Sequence, residues 1–181
     1  DALSSCQYIA DEFKVAAEQV FPFSTGVIGE KLPIERIKSG IPEVVKNLGK
    51  DNWLSAAEGI LTTDTRPKGA SVQVKFAGHL VNISGISKGS GMIKPNMATM
   101  LAFVGTDATI SNTLLVKMVR ELSEQSFNRI TVDGDTSTND ACMLLASGKS
   151  SAPEITESHP DFPSFKVEMQ RVFLDLAQAI V

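Results

Sequence analysis

The chain has 181 residues, 43% hydrophobic and 21% charged, with a net charge of −4. A chain of this length buries roughly 70% of its unfolded surface without staples, and the composition excludes wholesale disorder, collagen-like repeats and coiled coil. The acidic balance and the lack of any basic run argue against a duplex nucleic-acid binder, and no apolar stretch approaches the ~18 residues of a membrane span.

In chain order, the first element is an amphipathic helix with Ile9, Phe13, Ala16, Ala17 and Val20 on one stripe. Asp1-Ala2-Leu3-Ser4 lacks the basic start and apolar core of a signal peptide. Phe21 to Gly29 reads as a short strand broken by a glycine-bearing loop. Pro33 opens a helix carrying Ile34, Ile37 and Ile41; Pro42 is expected to interrupt it, and Gly49 to stop its continuation. Trp53 to Leu61 is a further short helix.

The period then changes. Val72, Val74 and Phe76 alternate, Ala77-Gly78 turns, and Val81 and Ile83 alternate again, which predicts a hairpin. A Gly/Pro-rich loop from Ser87 to Asn96 follows, and Thr99 to Val104 is an apolar run expected as a buried strand. Ser111 caps a helix with Leu114, Leu115, Met118, Val119 and Leu122 facing inward. Arg129 to Val132 reads as a short strand, and Ser137 as the start of a helix running to Gly148. Residues 149–163 form a polar loop, after which Met169, Val172, Phe173, Leu176 and Ile180 make a last helical stripe. The mixture predicts an α/β protein with helices layered on sheet. The chain opens inside a helix without Met and stops uncapped at Val181, so it reads as a fragment of a longer protein.

Most motif matches dissolve on inspection. Gly85-Ile86-Ser87-Lys88-Gly89 fits the G-x-S-x-G nucleophile elbow. An elbow needs a helix directly after the serine, which Gly89, Gly91 and Pro95 cannot form, so the match is read as chance. Gly89-Ser90-Gly91 lacks the third glycine of a dinucleotide loop, and no P-loop exists. Asp133 to Asp140 resembles a calcium loop but misses its glycine and glutamate, and reads as a strand-to-helix turn. His79 is expected as a solvated hairpin residue; His159 lies in the polar loop. Cys6 and Cys142 are either two buried thiols in a reducing compartment or one disulfide, and no Cys/His cluster suggests a metal. What remains is Lys88 to Leu101, where glycines and a proline precede Thr99. A mid-chain threonine is a poor nucleophile. It gains a built-in base when the bond before it is cut and its α-amine, of ordinary pKa near 8, is freed. From spacing alone, Thr99 is also an ordinary strand-starting residue.

Four blocks in order, STGVIG at 24–29, LTTDTRP at 61–67, KGSGMIKPNMATML at 88–101 and RITVDGDTSTND at 129–140, closely resemble the ornithine acetyltransferase family, the glutamate N-acetyltransferases of arginine biosynthesis. Members are about twice as long, so the chain resembles their middle portion, one catalytic domain comprising the C-terminal part of an α chain (1–98) and the N-terminal part of a β chain (99–181). The resemblance implies self-cleavage between Ala98 and Thr99. Thr99 then takes the acetyl group of N-acetylornithine and passes it to glutamate. It further implies Thr25 and Gly26 as an oxyanion-hole pair, and Lys88 with Thr62 or Thr63 as substrate contacts. The implied fold is a layered sandwich of helices on stacked mixed sheets, and the implied assembly an (αβ)2 heterotetramer. The resemblance implies, further, a cytoplasmic enzyme without cofactor or metal, acetyl-CoA being admitted as an additional donor. A glutamate and C-terminal polar residues of the family site fall beyond Val181. A self-processing aminopeptidase or amidase, which hands the acyl group to water, and a non-catalytic paralogue are the competing readings.

Overall fold

The computed structural model describes residues 1–27, 29–93 and 100–181. They form two compact units, Asp1–Asn52 and Trp53–Val181.

In the first unit, α1 (Ala2–Phe13) buries Cys6 and Ala10, one turn apart on one face. It ends at Lys14, which takes a left-handed conformation with φ 54°, so Ala16, Ala17 and Val20 do not extend its stripe. A 3-10 turn at Ala17–Gln19 follows. No strand forms among the described residues of 21–29. Pro22 removes a ladder donor there. Helix α2 (Ile34–Lys46) runs through Pro42, contrary to expectation. Pro42 is exposed, so the carbonyl it leaves without a helical donor can turn to water.

The second unit is α/β. After α3 (Trp53–Gly59), β1 (Lys68–Phe76) and β2 (His79–Lys88) form the expected hairpin, with Val72 opposite Ile83 and Val74 opposite Val81. Its turn places Ala77 and Gly78 at φ 50° and 80°, the primed geometry that matches strand twist. Strand β3 (Leu101–Thr106) pairs antiparallel with β2, Lys88 facing Leu101. Helix α4 (Asn112–Glu124) starts at Ser111, whose hydroxyl accepts the Leu114 N–H as predicted. Strand β4 (Ala141–Ala146) then pairs parallel with β3, Leu101 facing Ala141, and α5 (Phe162–Gln178) closes the unit. The sheet order is β1-β2-β3-β4.

Two expectations fail here. The segment read as a helix from Ser137 to Gly148 is a loop followed by β4. Ala, Met and Leu carry helix propensity, and the parallel partner strand overrides it. Arg129 ends a 3-10 turn, Phe127–Arg129, and residues 130–132 form no strand; the Val132 N–H donates to the Ile93 carbonyl of the Gly/Pro-rich loop at 2.6 Å.

The core lies on one face of the sheet, where Phe76, Val81, Ile83 and Val104 meet Met118 and Leu122 of α4 and Phe165, Met169, Phe173 and Leu176 of α5. Gly85 is what lets α5 approach. A Cβ there would lie 2.8 Å from Leu176 Cδ1 and 3.1 Å from the Phe103 carbonyl oxygen. Ser87, the supposed elbow nucleophile, is buried in β2 and donates to the Leu176 carbonyl at 3.2 Å. The G-x-S-x-G match is therefore a packing feature.

The opposite face carries α3. Between α3 and the β1–β2 hairpin lies a cavity of about 370 Å³, lined in part by Trp53, Ala57, Gly69, Ser71, Ser84 and Ile86.

Candidate active site

The end of β2 and the loop 61–67 bring two of the expected residues together. Lys88 is fully buried, and its Nζ donates to the Thr62 hydroxyl at 3.3 Å. Thr63 is engaged elsewhere, its hydroxyl 2.5 Å from that of Ser90. The two threonines left open by the sequence therefore have different partners, and Thr62 is the one beside the lysine.

Asp64, between these threonines and β1, organises the corner. Its carboxylate is inaccessible to solvent and accepts from Lys68 Nζ, from the Gly89 N–H at 2.7 Å and from the Thr62 N–H at 3.4 Å. Burial pushes its pKa upward, but the Lys68 hydrogen bond and the Gly89 N–H outweigh burial and hold it below the ordinary carboxylate range. Asp64 so fixes the backbone on both sides, directly before Thr63 and directly after Lys88. For Lys88 itself, burial lowers the ammonium pKa, the charges of Asp64 and Asp140 act against that, and the neighbouring Lys68 adds to it. A buried ammonium bonded to a hydroxyl, with the charges of Asp64 and Asp140 acting on it, is a cation of the kind that pairs with carboxylates.

The segment 133–140 forms the other wall. Asp133 accepts the N–H groups of Met92 at 2.6 Å, Ile93 at 3.0 Å and Asp135 at 3.2 Å. The hydrogen bond from Met92 leads in holding its pKa down. Asp140 accepts the Met100 N–H at 2.6 Å, and the Ala141 N–H donates to the Met100 carbonyl at 2.9 Å. The Asp140 carboxyl is pushed up to about 6 by burial, against the opposing pull of the Met100 N–H and the charge of Lys88.

Ala98 and Thr99 lie outside the described residues. Thr25 and Gly26 belong to the N-terminal unit, in the loop before α2, Thr25 half-buried and Gly26 exposed. Asp64, Lys68, Asp133 and Asp140 were not singled out from sequence as site residues. Their signal was present, since three of them sit inside the motif blocks, but aspartates beside Thr, Ser and Gly read as local turn and cap residues. Both cysteines are free thiols. Among the described residues, no cluster of His, Cys, Asp or Glu is arranged to hold a metal ion, and no helix is long and apolar enough to cross a membrane. His79 Nδ1 lies 2.9 Å from the Ser151 hydroxyl, and His159 stacks on Phe76; both hold loops against the sheet.

Comparison with known proteins gives a consistent result. The model of the ArgJ family matches residues 1–181. The arginine biosynthesis bifunctional protein ArgJ of Pseudomonas syringae pv. tomato is 49% identical over 181 residues, covering 99% of this chain and 45% of the relative. That of Methylococcus capsulatus is 50% identical, covering 100% and 44%. A crystal structure of arginine biosynthesis bifunctional protein argJ from Bacillus halodurans is 44% identical and aligns over 43% of this chain and 37% of that one, with a TM-score of 0.42. The chain thus spans a little under half the length of the curated relatives it matches.

Proposed function

Because the chain belongs to the ArgJ family, we propose that it is the middle portion of an acetyltransferase that moves an acetyl group from N-acetylornithine to glutamate in arginine biosynthesis. The observation that carries this reading is Lys88, buried beside Thr62 and at the same end of the sheet as Met100, the residue that follows Thr99.

Activation comes first in the proposal. The Thr99 hydroxyl attacks the Ala98 carbonyl carbon. Its proton passes to the departing amide nitrogen, the C–N bond breaks, and the Ala98 acyl group rests on Thr99 as an ester. Water hydrolyses that ester, leaving an Ala98 carboxylate and a Thr99 with free hydroxyl and α-amine. The chain becomes an α part, 1–98, and a β part beginning at residue 99. In turnover the neutral α-amine takes the hydroxyl proton as Oγ attacks the acetyl carbon of N-acetylornithine. Ornithine leaves with a proton on its nitrogen, and the amine of glutamate then takes the acetyl group from Thr99.

Each step raises an oxyanion. Thr25, by its hydroxyl, and Gly26, by its N–H, are proposed to receive it. Lys88 pairs with the substrate carboxylate, with Thr62 rather than Thr63 as the neighbouring hydroxyl contact. The scheme needs no cofactor, and acetyl-CoA enters it only as an alternative donor. The full protein is proposed as a cytoplasmic (αβ)2 assembly, a layered sandwich of helices on stacked sheets; free cysteines suit a reducing compartment.

The test is incubation of the full-length protein with N-acetylornithine, with and without glutamate. Without glutamate, one acetyl group should accumulate on Thr99 Oγ and little acetate should appear; with it, N-acetylglutamate should form. Acetate release at the same rate in both would mean hydrolysis, and an acetyl group mapped to another residue would overturn the mechanism.

A further inference from the structure

The segment 133–140 is bonded at both ends to the chain that flanks residues 94–99. At its start, the Asp133 carboxylate holds the N–H groups of Met92 and Ile93, and the Val132 N–H holds the Ile93 carbonyl. At its end, Asp140 and Ala141 hold both main-chain polar groups of Met100. The described residues on either side of the 94–99 stretch therefore hang from a single loop. The leading side is strained as well as held, because Met92 sits at φ 54°, a region that side chains avoid.

The chemistry of the trailing anchor exceeds what anchoring needs. A serine or asparagine oxygen would accept the Met100 N–H. Asp140 instead brings a carboxylate whose second oxygen, Oδ2, is buried with no hydrogen-bond partner among the described residues. An unmatched buried carboxylate oxygen is unfavourable for the fold, and burial pushes this carboxyl up to about 6. Such unrewarded polarity concentrates where the chain performs work.

We propose that Asp140 is a positioning residue for the nucleophile: by holding the Met100 N–H it fixes the backbone one residue beyond Thr99, while Asp133 fixes the approach at Met92 and Ile93, so that the 98–99 bond is presented for self-cleavage and the new chain end is afterwards held for acyl transfer. The inference rests on the self-cleaving transferase reading and adds to it the device that aims the reacting segment. Asp140 acts through Met100 and not on the substrate.

The experiment follows precursor cleavage during cell-free synthesis of the full-length protein, on denaturing gels, for wild type and for Asp140→Ala, Asp140→Asn and Asp140→Glu. Asp140→Ala removes the acceptor and should slow cleavage by at least about a hundredfold, the order expected when a reacting group loses its alignment. Asp140→Asn keeps an acceptor oxygen at the same place and should cleave within about tenfold of wild type. In the mature Asn variant kcat for N-acetylornithine should fall more than KM rises, since alignment matters most in the transition state. If Asp140→Ala does not fold, Asp140→Glu, which displaces the acceptor by one methylene, should slow cleavage at least tenfold at an unchanged melting temperature. Cleavage of a folded Ala or Glu variant at the wild-type rate, or an Asn variant as slow as Ala, overturns the proposal. A wild-type protein that is active yet uncut between Ala98 and Thr99 would instead overturn the self-cleavage reading itself.

Discussion

Asp140 is a group whose folded state favours the proton. Its carboxyl titrates at about 6, above the ordinary 3.8. Between those values the unfolded chain gives up its proton first, so the stability associated with this group is complete below pH 3.8 and is lost as pH rises through 6. Asp64 and Asp133, both held below the ordinary range, have the opposite sense: their contributions are present above the ordinary range and are lost on acidification through their depressed values. Replacing Asp140 with Asn removes the cost of ionisation while keeping an acceptor for Met100. After allowance for solvent screening, a gain of about 1 kcal/mol at pH 7.5 corresponds to a melting temperature about 2–4 °C higher. Near pH 4 the wild type and the variant should melt together. Thermal melts at the two pH values decide the point, and a gain of equal size at both would show that charge is not the cause. Residues that matter here were visible in the sequence as letters inside motifs, but their partners lie 25 to 41 positions away in the chain. Local reading finds a cap or a turn for each such aspartate, and only the fold reveals the distant N–H.

Elements were legible where their pattern was self-contained. The hairpin was read from the alternation at Val72, Val74 and Phe76 with its Ala77-Gly78 turn, and the start of α4 from Ser111. Strand β4 was not, because ACMLLA has neither alternation nor β-branched residues, and its strand state comes from pairing with β3. Pro42 failed as a stop signal because its position in α2 is solvated. Gly85 belongs to this scale, since it sets how closely α5 lies on β2. Gly85→Ala would press a methyl against Leu176, Val104 and the Phe103 carbonyl, and backbone oxygen cannot step aside as a side chain does. The expected loss is about 1–3 kcal/mol, read as a lower denaturant midpoint at unchanged m-value. A midpoint equal to wild type would show that α5 can shift freely. At the same time, Ser87, two residues on, is spared any catalytic duty by its bond to Leu176.

On the scale of the molecule, the proposed cut falls within the C-terminal unit, between strands β2 and β3 that are hydrogen-bonded neighbours. Helix α5, on the far side of the cut, packs on β1 and β2 and supplies Phe165, Met169, Phe173 and Leu176 to the common core. After cleavage the two pieces would therefore share one sheet and one hydrophobic core. They are expected to elute together on gel filtration in native buffer and to part only in concentrated denaturant. Separation of the pieces without denaturant would contradict this arrangement. The same topology orders events within the proposed scheme. Asp140 reaches Met100 across the pairing of β3 with β4, so on that scheme the sheet forms before the chain is cut. Scission, if it proceeds as proposed, would work as a timestamp on folding: each severed molecule would record that its sheet had already formed, and the band of intact precursor on a denaturing gel would count the molecules that have not yet arrived.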